Sequence, residues 1–378
     1  MKITRIETTP IHVPLKQGWT LKTAHDHHAS SPYVIIQVHT DAGLIGLGEA
    51  TVSPRWSGET SPGCVTAIHG LLEPELVGED PRNIAVLARK MDKVLSGNPF
   101  TKAAIEMALW DLTGKAAGMP VYQLLGGKVR DEMPIRLVIG GFPAGEAEAL
   151  AKKFLDWGVG CLKVKVGVGA DSDWERVRAV RKVAGPDVPI TVDANQGWDY
   201  PTARRMLRRL IECNILFAEQ PIPRGDPQAM AKLGEIGIPI MADESVFTTQ
   251  DAWSLLQHWA VDIISVYPGK NGGMGKTLAI TQMAEVGNVA CSMGSNLELG
   301  IGTAAMLHLG AALPNIVSER YPGDFIGPLY HQADMLKTPL ELGPKAAKVP
   351  NGPGLGVELD TDQLEQYRDN SGIARSLS

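Results

Sequence analysis

The chain has 378 residues, long enough for one barrel of roughly 250 residues and a second, smaller unit. Its hydrophobic content of 44% and charged content of 21% are ordinary globular values and exclude extended disorder or a fibrous repeat. A formal net charge of -6, without any run of Lys and Arg, offers no electrostatic footprint for nucleic acid or an anionic membrane.

The start, MKITRIETTPIHVPLK, lacks an apolar signal core, and no stretch approaches about 20 apolar residues, so a cytoplasmic protein is expected. The first segments alternate as strands do: ITRIETTPIHV, then YVIIQVHTDAGLIGLGEA, with Asp41, Ala42 and Gly43 as turn residues between two apolar runs. An antiparallel hairpin is therefore expected. In TKAAIEMALWDLTGKAAG, Ile105, Ala108, Leu109 and Leu112 fall at i, i+3, i+4 and i+7, which predicts an amphipathic helix ending near Gly118, Met119 and Pro120.

From about residue 135 short apolar strands alternate with helical segments. The strands read IRLVIGG, CLKVKVG, ITVDANQ, ILFAEQP, PIMADES, DIISVYP, NVACSMG and NIVSERY, each pair separated by enough residues for a crossover helix. Eight strands joined by seven helices favour a closed parallel barrel over an open sheet. The Gly- and Pro-rich end, KVPNGPGLGVELDTDQL, is too short for its own core and is expected to pack on the N-terminal unit. Cys64, Cys161, Cys213 and Cys291 show no CxxC spacing, which points to reduced, buried thiols.

Active sites of such barrels lie at the carboxyl ends of the strands. There Asp193 ends ITVDAN, Glu219 ends LFAEQP, and Asp243 with Glu244 ends IMADES, at intervals of 26 and 24 residues. One strand-helix unit separates each pair, so consecutive strands aim three carboxylates at one point. Oxygen ligands of this kind suit Mg²⁺ or Mn²⁺. One strand earlier, Lys163 and Lys165 stand two apart and leave the same face of their strand. Burial, a second ammonium and a nearby divalent cation would all lower a lysine toward the range of a base. A base beside a metal suits abstraction of the weakly acidic proton alpha to a carboxylate, so a small-molecule carboxylate is the expected partner.

The helix KAAIEMALWDLTGKAAGMPVYQLLGG, the KVK of the second strand, VDANQGW, AEQP, ADES, KNGG and PGLGVELD, in that order, resemble the enolase superfamily. The likeness is specifically to the muconate lactonizing (muconate cycloisomerase) subgroup of the mandelate racemase/muconate lactonizing enzyme family. That resemblance implies an α/β fold: a (β/α)7β modified TIM barrel over 131–339, under an α+β capping domain of 1–130 completed by the tail from about 340 to 378. It also implies Mg²⁺ or Mn²⁺ on Asp193, Glu219 and Asp243, Lys165 as catalytic base, Lys163 on the substrate carboxylate, and Asn195 beside the metal. A homo-oligomer between dimer and octamer is implied as well.

The pattern breaks at the sixth barrel strand. Members of this subgroup usually carry a second catalytic lysine five residues before the Gly-Gly pair; here that position is Tyr267, and Lys270 follows three residues later in the loop. A two-base racemase needs a proton acceptor on each face of its intermediate, whereas a cycloisomerase or syn dehydratase needs one. A tyrosine near its usual pKa of about 10 favours one-base chemistry. Tyr267 could instead donate a hydrogen bond, or have its pKa lowered by a nearby cation. Glu298 resembles a glutamate close to the substrate in muconate cycloisomerases, and Glu319 is a weaker candidate for the same space.

Specificity in this family comes from the cap, which singles out the loops near 16–30 and 52–62. Arg55 and Trp56 suit an anionic or ring-bearing substrate, while His25, His27 and His28 read as a solvated loop rather than a second metal site. GKNGGMGKT fails the phosphate-loop pattern because its first required glycine is Lys270. The rival reaction is epimerisation or racemisation of N-acyl amino acids or dipeptides. Against dipeptides, no Asp-x-Asp follows the eighth strand, where epimerases of that class usually hold the substrate ammonium.

Overall fold

A computed structural model describes residues 1–19, 21–24 and 27–369 of the chain. The N-terminal part is a three-stranded antiparallel sheet in the order β1 (Ile3–Pro14), β2 (Ser30–Thr40), β3 (Ile45–Ala50). The expected hairpin is β2–β3, closed where Thr40 exchanges backbone hydrogen bonds with Leu44 and Gly43. Gly43 supplies the left-handed turn residue, with φ of 77°.

Helix α1 (Pro99–Ala117) ends, as its sequence predicts, on the left-handed Gly118. It is not amphipathic, however. Beside the four apolar residues, Thr101, Lys102, Glu106 and Asp111 are also buried, because the helix is enclosed on several sides. Toward the sheet, Gly46 and Gly48 bring β3 so close that an added Cβ would lie 2.2 Å from Ala108 O and 1.8 Å from Ala104 O, respectively. On another side the Glu106 carboxylate accepts from Gly275 N, and Asp111 accepts from Leu47 N and Leu355 N. The polar positions that would face water in an ordinary surface helix are internal fasteners here.

The second part is a curled parallel sheet of seven strands in sequence order: β4 (Leu137–Ile139), β5 (Leu162–Lys165), β6 (Ile190–Asp193), β7 (Ile215–Glu219), β8 (Ile240–Ala242), β9 (Ile263–Val266) and β10 (Ala290–Met293). Its crossover helices are α2 (Ala144–Trp157), α3 (Ala170–Ala184), α4 (Tyr200–Leu210), α5 (Pro227–Gly234), α6 (Thr249–Gln257), α7 (Met274–Val286), with α8 (Gly300–Ala312) after the last strand. Local chemistry starts several of them: Asp199 and Asp226 cap α4 and α5, and Thr248 with Asp251 forms a capping box on α6.

The eighth strand, expected in NIVSERY, does not form as a ladder. Ile316 bridges Cys291 on one side of the gap, Gly323 bridges Ile135 on the other, and irregular chain lies between. Pro322 has no amide to donate, which interrupts a ladder at this point. These contacts still join β10 to the start of β4 and close the barrel. The tail reaches back to the cap, where Val121 N donates to Gly354 O and His12 N donates to Tyr367 O. All four cysteines are free and buried. Among the described residues no helix is long and apolar enough to cross a membrane.

Candidate active site

Parallel pairing sets Lys165 beside Asp193, and Asp193 beside Glu219, at the carboxyl ends of β5, β6 and β7. Asp243 follows β8 directly. Lys163 and Lys165 share one face of β5, as their spacing predicts, and both are buried with the three acids. Lys163 Nζ lies 3.0 Å from Asp193 Oδ2, 2.8 Å from Glu219 Oε2 and 2.9 Å from Asp324 Oδ2. Lys165 Nζ donates to Asp193 Oδ2 at 2.6 Å and to Asn195 Oδ1 at 2.9 Å. Asn195 takes a left-handed φ of 42°, and its Nδ2 donates to Glu244 Oε1 at 3.1 Å.

Two residues that the sequence reading passed over complete this network. Arg136, wholly buried at the mouth of β4, donates from Nε to Asp324 Oδ1 at 2.6 Å and from Nη2 to Asp324 Oδ2 at 2.9 Å. The same Nη2 reaches Glu219 Oε2 at 3.2 Å. A lone arginine inside the apolar run IRLVIGG was the available signal for it. Asp324 sits in the irregular closing segment, where strand periodicity gives no pointer. Glu319 does not belong to the site: it is exposed and pairs with Arg130.

Without a cation bound, Lys163 is pulled both ways. Burial alone drives that ammonium down, but Asp193, Asp324 and Glu219 together raise it well above its ordinary value. Burial raises Asp193, yet the ammonium groups of Lys163 and Lys165 outweigh it and hold that carboxyl far below the usual range. Glu219 moves the other way, raised by burial and by the neighbouring Asp193 charge.

Among the described residues no three His, Cys, Asp or Glu side chains stand close enough to hold one ion as placed. Lysine ammonium groups lie between them instead. The donor set still fits a divalent cation by the type and convergence of its oxygens. Asp193, Glu219 and Asp243 are buried carboxylates, and Asp193 Oδ2 and Glu219 Oε2 already converge on one cationic centre, the Lys163 ammonium, at 3.0 and 2.8 Å. Mg²⁺ or Mn²⁺ takes oxygen ligands of this kind.

Tyr267 follows β9 and is completely buried, and its Oη has no hydrogen-bond partner. Burial, then the charges of Asp243, Glu298, Glu244 and Glu219, push its phenol well above the usual value of 10, opposite to the lowering a cation would bring. Lys270 lies not in an open loop but on a buried helical turn, Pro268–Asn271. Its Nζ donates to Asp243 Oδ1 at 2.7 Å, Asp243 O at 2.9 Å and Ser265 O at 2.7 Å. Glu298 is buried, accepts from Ser295 Oγ at 2.5 Å and from Asn296 N, and burial pushes it up to about 7.

Two family profiles match the chain: the mandelate racemase/muconate lactonizing enzyme N-terminal domain over residues 5–126, and the enolase C-terminal domain-like family over 146–363. The chain belongs to the mandelate racemase/muconate lactonizing enzyme family, within the enolase superfamily. It is 34% identical to a chloromuconate cycloisomerase of Cupriavidus necator, over 97% of this chain and 99% of that one. It is 31% identical to an N-succinyl-L-Arg/Lys racemase of Bacillus cereus, over 99% and 100%. A dipeptide epimerase from Cytophaga hutchinsonii, solved with Mg and the dipeptide D-Ala-L-Val, superposes with a TM-score of 0.91 at 31% identity, covering 97% and 98%.

The chain is thus an enolase-superfamily enzyme, and its magnesium-bound family neighbour supports a divalent metal cofactor. In this member of the family the cap reaches the barrel rim through Trp56, whose ring stands 6.1 Å from that of Phe247, just beyond Asp243 and Glu244. The Arg224 guanidinium lies over the same Phe247 ring at 5.7 Å. Arg55 is exposed. His25 lies outside the described residues.

Proposed function

We propose that the enzyme removes the proton alpha to the carboxylate of a small-molecule substrate, with Lys165 as base and with chemistry on one face, as in a cycloisomerase or another one-base lyase. The observation that carries this reading is the sixth-strand position. Tyr267 has a phenol held well above its ordinary pKa, so it stays protonated and serves as a donor. Lys270 spends its three N–H donors on three acceptors and has no direction left for a substrate. A second base is therefore lacking.

Lys165, by contrast, engages Asp193 and Asn195, which leaves one of its three directions for the substrate and fixes where its Nζ meets the proton. Asp193, Glu219 and Asp243 would hold Mg²⁺ or Mn²⁺, which when bound supplies positive charge beside the substrate carboxylate. Lys163 would contact that carboxylate, with Asn195 bordering it. Tyr267 Oη, and Glu298 when burial keeps it protonated, would donate to negative charge developing across from Lys165. Trp56, with Arg55, would close the cap side. The working picture is a cytoplasmic homo-oligomer whose cap (1–130 and the tail) sets specificity over a 131–339 barrel.

The racemase and epimerase relatives support a second reading, inversion of an N-acyl amino acid or dipeptide. Asp324, whose oxygens already serve Arg136 and Lys163, is poorly disposed to hold a free substrate amine. A carboxylate library followed by proton NMR in D₂O with Mg²⁺ decides between the readings. One-base chemistry forms or loses a ring, double bond or water. Exchange of the alpha proton with inversion of the centre would overturn it.

A further inference from the structure

Lys163 stands where a cation would have to compete with it. Two of its three carboxylate contacts, Asp193 at 3.0 Å and Glu219 at 2.8 Å, are proposed metal ligands. The third, Asp324 at 2.9 Å, is of a different kind. It comes from the closing segment of the barrel, where its own amide donates to Met293 O and the preceding Gly323 amide donates to Pro134 O. Its carboxylate is clamped in bidentate fashion by Arg136, which is itself wholly buried. Such a fork is rigid and charge-assisted, so Asp324 cannot follow a neighbour that moves.

We infer that Asp324, pinned by Arg136, is a positioning residue that retains the Lys163 ammonium when a divalent cation takes Asp193 and Glu219, and thereby limits competition between lysine and metal. The inference rests on the metal reading given above. With Asp324 present, the ammonium surrenders two anionic partners and keeps one. Without it, the ammonium would have no anion except the metal ligands, and a buried charge left unpaired is strongly disfavoured. Lys163 would then hold those ligands against the metal.

Titration calorimetry with Mg²⁺, repeated with Mn²⁺, tests this on the wild type, Asp324→Asn, Lys163→Met and the double variant. Asp324→Asn is expected to weaken metal binding by about 10- to 100-fold, the usual range for a residue that orients a metal site from outside it. Lys163→Met should bind at least as tightly as wild type, and in that background Asp324→Asn should cost only a small part of its original loss. Equal losses in both backgrounds would mean that Asp324 attracts the cation directly, and would overturn the inference, as would no loss at all. If Asp324→Asn does not fold, Arg136→Lys, which loosens the clamp but keeps its charge, should show the same dependence on Lys163. A wild type that binds neither metal would sink the metal reading itself, and would show this before any substitution.

Discussion

Tyr267→Phe separates the two things a buried hydroxyl can do. The Oη is fully enclosed and lacks a partner, so removing it takes away a desolvated polar group without opening a cavity. An unpaired buried hydroxyl costs about 1–3 kcal/mol, and the phenylalanine variant should therefore be more stable by about that amount. In a chain of this length the rise in Tm is a few degrees at most. If Oη donates to charge that develops only during reaction, the same variant should lose about 100- to 1,000-fold in kcat. The assay pairs a denaturation midpoint with turnover of a substrate found in the NMR screen. A variant that is less stable than wild type would show that Oη has a protein partner, and unchanged kcat would remove Tyr267 from the chemistry.

Lys165→Ala should lower deuterium incorporation and turnover by about 100- to 10,000-fold, measured by NMR in D₂O, with Mg²⁺ affinity largely preserved. Burial raises Glu49 to about 8, and Glu106 and Glu298 to about 7, from a common 4.5. The folded form thus binds more protons than the unfolded one between those values, so urea stability of the metal-free protein should fall from pH 5 to pH 8, and Glu49→Gln should remove part of the fall. Gly48→Ala would set a methyl group 1.8 Å from Ala104 O and should cost about 3 kcal/mol or more, read as a lower denaturant midpoint. The Arg55→Ala, Trp56→Ala double variant should raise KM more than it lowers kcat; kinetics like those of wild type would exclude both from the site.

Much of the site was legible because each acid directly follows an apolar strand. Asp193, Glu219 and Asp243 needed only the barrel rule and a regular interval to be set at the ends of consecutive strands. The KVK spacing likewise settles which face Lys163 and Lys165 share. What escaped was carried by irregular chain and by burial. Asp324 lies past a strand that never forms, and Arg136 is hidden in a run that otherwise reads as apolar filling. Of the three carboxylates that raise Lys163 in the metal-free site, Asp324 is the one that no strand pattern announces. The helix at 99–117 was misjudged for a related reason: periodicity reports one apolar face and says nothing of acids that fasten the others.

That helix also limits how this enzyme can change. It fills the seam between the N-terminal sheet and the barrel, touching β3 through Gly46 and Gly48, the turn after β9 through Phe100 at Gly269, the start of α7 through Glu106 at Gly275, and the tail through Gly114 at Gly354. A graft of a foreign cap would have to bring its own version of the helix and re-cut the barrel surface to receive it. Even the rim segments are tied to this seam: Glu59, three residues after Trp56, accepts from Phe100 N and Thr101 N, and Asn271 donates to Phe247 O, so editing there must keep those bonds. Separating the chain at residue 130 to make a free-standing barrel should yield protein that aggregates, since the cut removes Phe100 and Glu106 from the barrel surface at Gly269 and Gly275.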